Sequence, residues 1–156
     1  MPQPPHKVPK SYTPPPNPYA TGPIVWHPTT VYEVARHVPA GQKPADYMKA
    51  PMTIDTGAWQ STIPKSMGTA LGYKQHPGER VYHYYTSIGP TPYLLREMDL
   101  KIAGHKPVTI PVSWAQTEQV STGAAIGRKG VLDHFDIFFS EANNKMDFKA
   151  RDGVWK

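Results

Sequence analysis

The sequence predicts an all-β protein, either a barrel or a sandwich. Short runs of β-branched and aromatic residues recur along the chain, several of them alternating with polar residues. Glycine, proline, asparagine or aspartate separates these runs at short intervals, as turns require. Helical signals are weak and limited to residues 66–73 and a short amphipathic segment at 129–135. With 156 residues the chain suits one domain with a real core, possibly with a tail.

The first 23 residues are rich in proline. They include Pro2-Gln3-Pro4-Pro5 and Pro14-Pro15-Pro16-Asn17-Pro18. Because proline fixes φ and lacks a backbone donor, we predict an extended or disordered arm over residues 1–23, outside the sheet core. A solvated tail is the simplest interpretation, and a ligand for a polyproline-reading domain or a segment cleaved from the mature protein are the alternatives. The domain itself is predicted over residues 24–156.

Strands follow in order along this domain. Pro51 limits how central the strand before Asp55 can be at its start. The two strands around Gly89-Pro90 should form a long hairpin whose tip spans residues 87–91. The predicted strands cover residues 24–26, 29–35, 45–54, 79–86, 93–102, 108–114, 136–139 and 145–149.

The stretch from Met52 to Ser61 places a carboxylate on a tight turn. Asp55 directly follows an apolar run that is typical of a buried strand, and Gly57 lets the backbone turn sharply and approach another segment closely. Thr56 offers a hydroxyl that can tie the loop down from within. The same tripeptide also occurs in ordinary Asx turns, so a purely structural role is the alternative at this point.

The Asp-Thr-Gly-Ala-x-x-Ser pattern of Asp55 to Ser61 resembles the active-site loop of retropepsin-like aspartic proteases. The order of later features is also similar to that family, over roughly residues 24–148. A hairpin follows where the family has its flap, and Ala125-Ile126-Gly127-Arg128 stands at its second motif. Residues 131–135 stand where the family has its helix. The resemblance implies a closed small β-barrel of the retropepsin or acid-protease type, with one short helix and a flap hairpin.

The resemblance also implies a function. The chain holds one Asp-Thr-Gly loop where the mechanism needs two, so it implies a homodimeric aspartic endopeptidase that cleaves peptide or protein substrates. Two Asp55 carboxylates would activate a water between them, without a metal or other cofactor. The implied site residues are Asp55, Thr56 and Gly57 for catalysis, Ala58, Trp59, Gln60, Ile88 and Gly89 for substrate binding, and Ile126, Gly127 and Arg128 for support of the loop.

The chain departs from the family at two positions. Viral members commonly carry an acidic residue shortly after the Gly-Ala of the loop, and it pairs with the arginine that is Arg128 here. This chain has Trp59 and Gln60 instead, which leaves the partner of Arg128 open. Since the family often builds its dimer interface from terminal strands, residues 24–26 and 151–156 are the candidates for that role.

Composition argues against other classes of function. The absence of cysteine excludes disulfides and thiolate chemistry, and none of the seven histidines stands in a zinc-binding pattern. The net charge of +5 comes from scattered residues that are not interleaved with aromatics, so no nucleic-acid partner is expected. Without an apolar run of membrane length or a signal-peptide pattern, we expect a soluble protein, with the cytoplasm favoured. A catalytically inactive module that dimerises and binds peptides remains the alternative function.

Overall fold

The computed structural model describes residues 4–15, 29–86, 89–102, 104–117, 123–140, 142–143 and 145–151. These residues are mostly β, as predicted, with one short α-helix. The strands are β1 (Thr29–Arg36), β2 (Met48–Ile54), β3 (Ser61–Ile63), β4 (Tyr82–Thr86), β5 (Gly89–Lys101), β6 (Val108–Ala115), β7 (Ala125–Ile126), β8 (Phe135–Ser140) and β9 (Lys145–Ala150), and the helix is α1 (Lys65–Leu71). No described helix has the length and apolar character needed to cross a bilayer.

Strands β1 to β7 form one sheet in the order β1-β2-β7-β3-β6-β5-β4. β1 also pairs with β5, so the pairing order returns from β5 to its starting strand. β8 and β9 form a separate antiparallel hairpin. Two short parallel pairings, β2 with β7 and β3 with β6, join segments that lie far apart in sequence. They set the end of β2 beside β7, which fixes the position of the candidate site.

The core is built from alternate residues of the strands. In β2 the residues Met48, Ala50, Met52 and Ile54 are all buried while those between them are partly or fully exposed. A period of two places successive side chains on opposite faces of a strand, so these four share the inward face. Phe135 of β8 joins the same cluster. The strand before Asp55 was predicted from its apolar run, and the alternating burial identifies the inner face of β2.

The helix lies elsewhere than the resemblance implied. Residues 131–135 do not form an α-helix: Val131 and Leu132 end a kinked π-helical segment, Arg128–Leu132, and Phe135 already belongs to β8. Lys129 has ψ of 126° and Gly130 has φ of 84°, and neither value is compatible with an α-helix. The predicted helix at this position is wrong, because the helical segment ends at Leu132 and Phe135 already pairs with β9.

The α-helix is α1, in the region where the sequence signal was weak. Met67 and Leu71 lie four residues apart and are both buried, so one face of the helix packs on the core. Gly72 ends the helix with φ of 96°, and its N–H donates to the carbonyl of Thr69 at 3.0 Å. Gly68 lies so close to Trp114 that no side chain would fit between them. The helix is therefore held by tertiary packing more than by its own sequence.

The predicted hairpin is present as β4 and β5, and its turn contains fewer residues than expected. Thr86 lies opposite Gly89, so β5 begins two residues earlier than the predicted end of the tip at residues 87–91. Gly89 has φ of 103°, a backbone conformation that glycine adopts without strain. Ser87 and Ile88 lie outside the described residues.

The N-terminal residues contribute to the core, contrary to the prediction. Ser11 forms a parallel bridge to Lys49 of β2, and Tyr12 is buried with the core residues. The expectation that this part of the arm lies outside the core is wrong, because an isolated tyrosine among prolines gives no periodic signal. Residues 1–3 and 16–23 of the predicted arm, and the predicted strand at 24–26, lie outside the described residues.

Candidate active site

Asp55 follows β2 directly and begins a tight turn. Its N–H donates to the carbonyl of Ile126 at 2.9 Å, and its own carbonyl accepts from the N–H of Ala58 at 3.2 Å. Ile54, immediately before it, is buried and pairs in parallel with Ile126. The backbone of Asp55 is thus held from both sides while the residue itself is exposed. The sheet therefore holds Asp55 at a fixed position on the protein surface.

The carboxylate is oriented within its own loop. The N–H of Gly57 donates to Oδ1 of Asp55 at 3.0 Å. This hydrogen bond fixes the direction in which the side chain points. This bond alone is also what an Asx turn provides, so it does not distinguish a catalytic loop from a structural one.

A second segment crosses the loop at Gly127. The N–H of Arg128 donates to the carbonyl of Ala58 at 2.9 Å, and the N–H of Lys129 donates to the carbonyl of Trp59 at 2.8 Å. A Cβ on Gly127 would lie 2.6 Å from the carbonyl carbon of Gln60. Only a glycine permits this approach of two backbones. The crossing ties residues 126–129 to the loop that carries Asp55.

The side chain of Ser61 also holds the segment that crosses the loop. It is completely buried, and its Oγ accepts a hydrogen bond from the N–H of Gly127 at 3.0 Å. The sequence pattern included Ser61 but did not assign it a role. The place of Ser61 three residues after Ala58 in the motif could have indicated that it supports the loop. Nothing in the sequence indicated that the backbone of Lys129 contacts the loop.

We expect Ser61→Ala to destabilise the protein by about 1–3 kcal/mol, because the variant leaves the buried N–H of Gly127 without its partner. Urea unfolding monitored by circular dichroism would measure the loss. The matched control is Ser11→Ala, where the residue is exposed and the loss should be smaller. An unfolding free energy equal to that of the wild type would contradict this role of Ser61.

The structure brings most of the predicted site residues together. Asp55 to Gln60 form the loop, and Ile126 to Arg128 lie against it. Trp59 is 64% exposed, and Thr56 and Gly57 are exposed as well. Gly89 lies on a different element, at the start of β5, and Ile88 lies outside the described residues.

Arg128 has an exposed side chain and forms no ion pair with the part of the chain that the structure describes. Its backbone contributes to the crossing, whereas its guanidinium does not contribute to the loop. Of the two predicted interface segments, only Arg151 is described, and its N–H donates to the carbonyl of His134 at 3.1 Å.

Arg96 on β5 secures the connection between α1 and the hairpin. Its guanidinium donates through Nη1 and Nη2 to the two carboxylate oxygens of Glu79, and Nη2 also donates to the carbonyl of Lys74 at 2.6 Å. The hydrogen bond from Arg96 lowers the pKa of Glu79 from its ordinary 4.5 to about 2. This pair joins a loop to a strand without any regular spacing, so the sequence offered no signal for it.

We expect Glu79→Gln to reduce the unfolding free energy at neutral pH by about 1–2 kcal/mol. Because the folded-state pKa of Glu79 is depressed, its contribution is complete above pH 4.5 and disappears as the pH falls toward 2. The difference between wild type and variant should therefore shrink over that window in urea titrations at several pH values. Glu33→Gln, an equal change of charge at an exposed strand residue, is the control. A difference that is constant from pH 7 to 2 would contradict the assignment.

No group of three or more His, Asp or Glu side chains among the described residues is arranged to hold a metal ion. The described loop thus offers one carboxylate, backbone donors and an exposed tryptophan. A single carboxylate can act as a general base, and a pair can act as both acid and base.

Comparisons with known proteins are sparse. No protein-family model matches the sequence, and no curated protein matches it. Among solved structures, the fold is similar to that of the EIAV protease complexed with the inhibitor HBY-793, with a TM-score of 0.43 and 18% sequence identity. The alignment covers 70% of this chain and 88% of that chain.

Proposed function

We propose that the protein is an aspartic endopeptidase of the retropepsin type, in which two copies of the chain each supply Asp55 to one active site. The observation that carries this proposal is the crossing of two backbones at Gly127 behind the Asp55 loop. An ordinary Asx turn needs only the bond from Gly57. Here a distant segment, residues 126–129, additionally holds the loop through three backbone–backbone hydrogen bonds and one bond from the N–H of Gly127 to Oγ of Ser61, which an isolated structural turn does not require.

The homodimer follows from the chemistry. The sequence contains one Asp-Thr-Gly loop, which carries Asp55, and Asp55 is exposed in the isolated chain. A second copy related by two-fold symmetry would bring an identical loop to face it. Thr56 would then lock the two loops across the symmetry axis, within a closed barrel of the retropepsin type.

Two carboxylates at hydrogen-bonding distance share one proton, because both cannot be ionised cheaply so close together. The ionised Asp55 takes a proton from a water between them, and the oxygen of that water attacks the scissile carbonyl carbon. The protonated Asp55 donates to the carbonyl oxygen, which gives a gem-diol. Transfer of a proton to the amide nitrogen then breaks the C–N bond and releases the amine and the acid. No metal or organic cofactor takes part.

The substrate would be an extended peptide held by backbone hydrogen bonds, with the carbonyl of Gly57 as one acceptor. Ala58, Trp59 and Gln60 would contact its side chains. Trp59 offers a large exposed apolar surface for this purpose. The hairpin of β4 and β5, with Ile88 and Gly89 at its end, would close over the peptide and exclude water.

A concentration series tests the dimeric site directly. We expect specific activity on an unfolded protein at mildly acid pH to rise with enzyme concentration, until the dimer is fully formed. A pepstatin-type inhibitor should abolish cleavage. Activity that is independent of concentration down to a range where sedimentation shows monomers would contradict the proposal. Folded dimers that cleave nothing would support the inactive peptide-binding module instead.

A further inference from the structure

The segment of residues 6–12, here called the strap, joins β2 at Lys49 through a parallel β-bridge. The N–H of Lys49 donates to the carbonyl of Lys10 at 2.9 Å, and the N–H of Tyr12 donates to the carbonyl of Lys49 at 2.8 Å. Ser11 is thereby bridged in parallel to Lys49. Main-chain bonds of this type are how a sheet edge captures an extended peptide.

The strap and β7 share one edge of β2. The N–H groups of Lys49, Thr53 and Asp55 point to this edge, the first toward the strap and the other two toward β7. Alternate residues of a strand point their N–H groups to the same side, so the residue between them on this edge is Pro51, which has no N–H to donate. Pro51 thus divides the edge into two short docking positions. β7 occupies the one near Asp55, and the strap occupies the other.

Side chains anchor the strap to α1 as well. Tyr12 is 9% exposed, lies within the core cluster, and its hydroxyl bonds to Oγ of Ser66 at 2.6 Å. At the other end, Nε2 of His6 donates to the carbonyl of Ala70 at 2.8 Å, and Val8 packs against the core between them. The strap therefore spans the space between β2 and α1 with one buried aromatic anchor.

The composition of the strap favours binding. Prolines lie within and beside it, at Pro5, Pro9 and Pro14. They hold a free peptide in extended conformations, so less conformational entropy is lost when it docks.

We propose that the surface formed by the β2 edge at Lys49 and by α1 is a peptide-binding site, that its ligand is the strap, and that the strap stays bound when it is not covalently connected. The inference goes beyond the proposed protease function and does not rest on it. A cut within residues 16–28 would then leave two associated pieces, and the N-terminal residues would be a working part of the fold.

The test uses a chain that begins at residue 16 and a synthetic peptide of residues 4–15. We expect the shortened chain to melt at least about 5 °C lower than the full chain. The peptide should bind it with one-to-one stoichiometry in calorimetry and restore the melting temperature. A Tyr12→Ala peptide should bind at least about 10-fold more weakly, since it lacks the buried ring. A Lys10→Ala peptide is the matched control, because the Lys10 side chain is exposed while its backbone bond is kept.

A second experiment uses the full chain and applies if the shortened chain does not fold. A recognition sequence for a specific protease is inserted between Asn17 and Pro18 of the full chain, and the folded protein is cut there. Native mass spectrometry should find the two pieces together, and Tyr12→Ala should release the N-terminal piece. Separation of the wild-type pieces after cutting would overturn the proposal. So would a shortened chain that melts with the full chain and binds no peptide.

Discussion

Asp55→Asn should reduce peptide cleavage by at least about 10³-fold while the chain stays folded and dimeric. The amide has the shape of the carboxylate but can neither take a proton from water nor share one with its counterpart. The Oδ1 atom of asparagine can still accept the hydrogen bond that Gly57 donates. The loop backbone is held by bonds to Ile126 and Ala58 that the substitution does not touch. The effect should therefore fall on the chemical step alone.

The measurement is cleavage of an unfolded protein at mildly acid pH, read by intact mass, with sedimentation and circular dichroism on the same samples. Asp46→Asn, an equal change at an exposed residue ahead of β2, is the matched control and should leave activity unchanged. Full activity in Asp55→Asn would exclude the proposed mechanism. If wild type and variant are equally inert while both are folded dimers, Asp55 is a turn residue and the protein is a binding module.

Mixing the two chains adds a test of the shared site. Wild type combined with an excess of Asp55→Asn forms mixed dimers that hold a single carboxylate. Total activity should then fall below that of the same amount of wild-type chain alone. Each wild-type chain that pairs with a variant chain is no longer available to form an active dimer. An activity that is unaffected by the added variant would show that each chain works by itself.

Local patterns explain why much of this structure could be predicted. The alternation of buried and exposed residues in β2 is a property of neighbours in sequence, and so is the Asp55-Thr56-Gly57 turn that follows it. Gly127 was expected as support of the Asp55 loop, and in the structure a Cβ on it would lie 2.6 Å from the carbonyl carbon of Gln60. A glycine between an apolar pair and an arginine is a local signal for a distant contact.

The features that the sequence did not indicate depend on partners far along the chain. Strand β3 is only three residues long and exists because Ser61 to Ile63 pair with β6 and β7. Tyr12 is buried because α1 and β2 form a site for it, which composition cannot show. The helix was expected at residues 131–135, but Phe135 is the first residue of β8 and pairs with Ala150 of β9. In each case tertiary contacts override a weak local preference.

Gly127→Ala should destabilise the protein by about 3 kcal/mol or more, the combined effect of overpacking and of lost buried hydrogen bonds. The added Cβ would lie 2.6 Å from the carbonyl carbon of Gln60 and 2.7 Å from its oxygen. These are backbone atoms, so no side chain can rotate away to make room. The two segments must separate, and the bonds from Arg128 to Ala58 and from Lys129 to Trp59 would weaken together. Urea unfolding would give the loss of stability directly.

The backbone conformation of Gly127 makes this a clean test. Its φ of −93° is available to alanine, so any effect arises from the crossing itself. Gly41→Ala is the control with the opposite properties, since Gly41 has φ of 89° and open space around its missing Cβ. The free energy of unfolding of that variant should fall by only about 1–2 kcal/mol, because of backbone strain. A Gly127→Ala protein as stable as the wild type would mean that the Asp55 loop is not held by the second segment. In that case the main structural support for a catalytic Asp55 would be lost, because the bond from Gly57 alone is what any Asx turn contains.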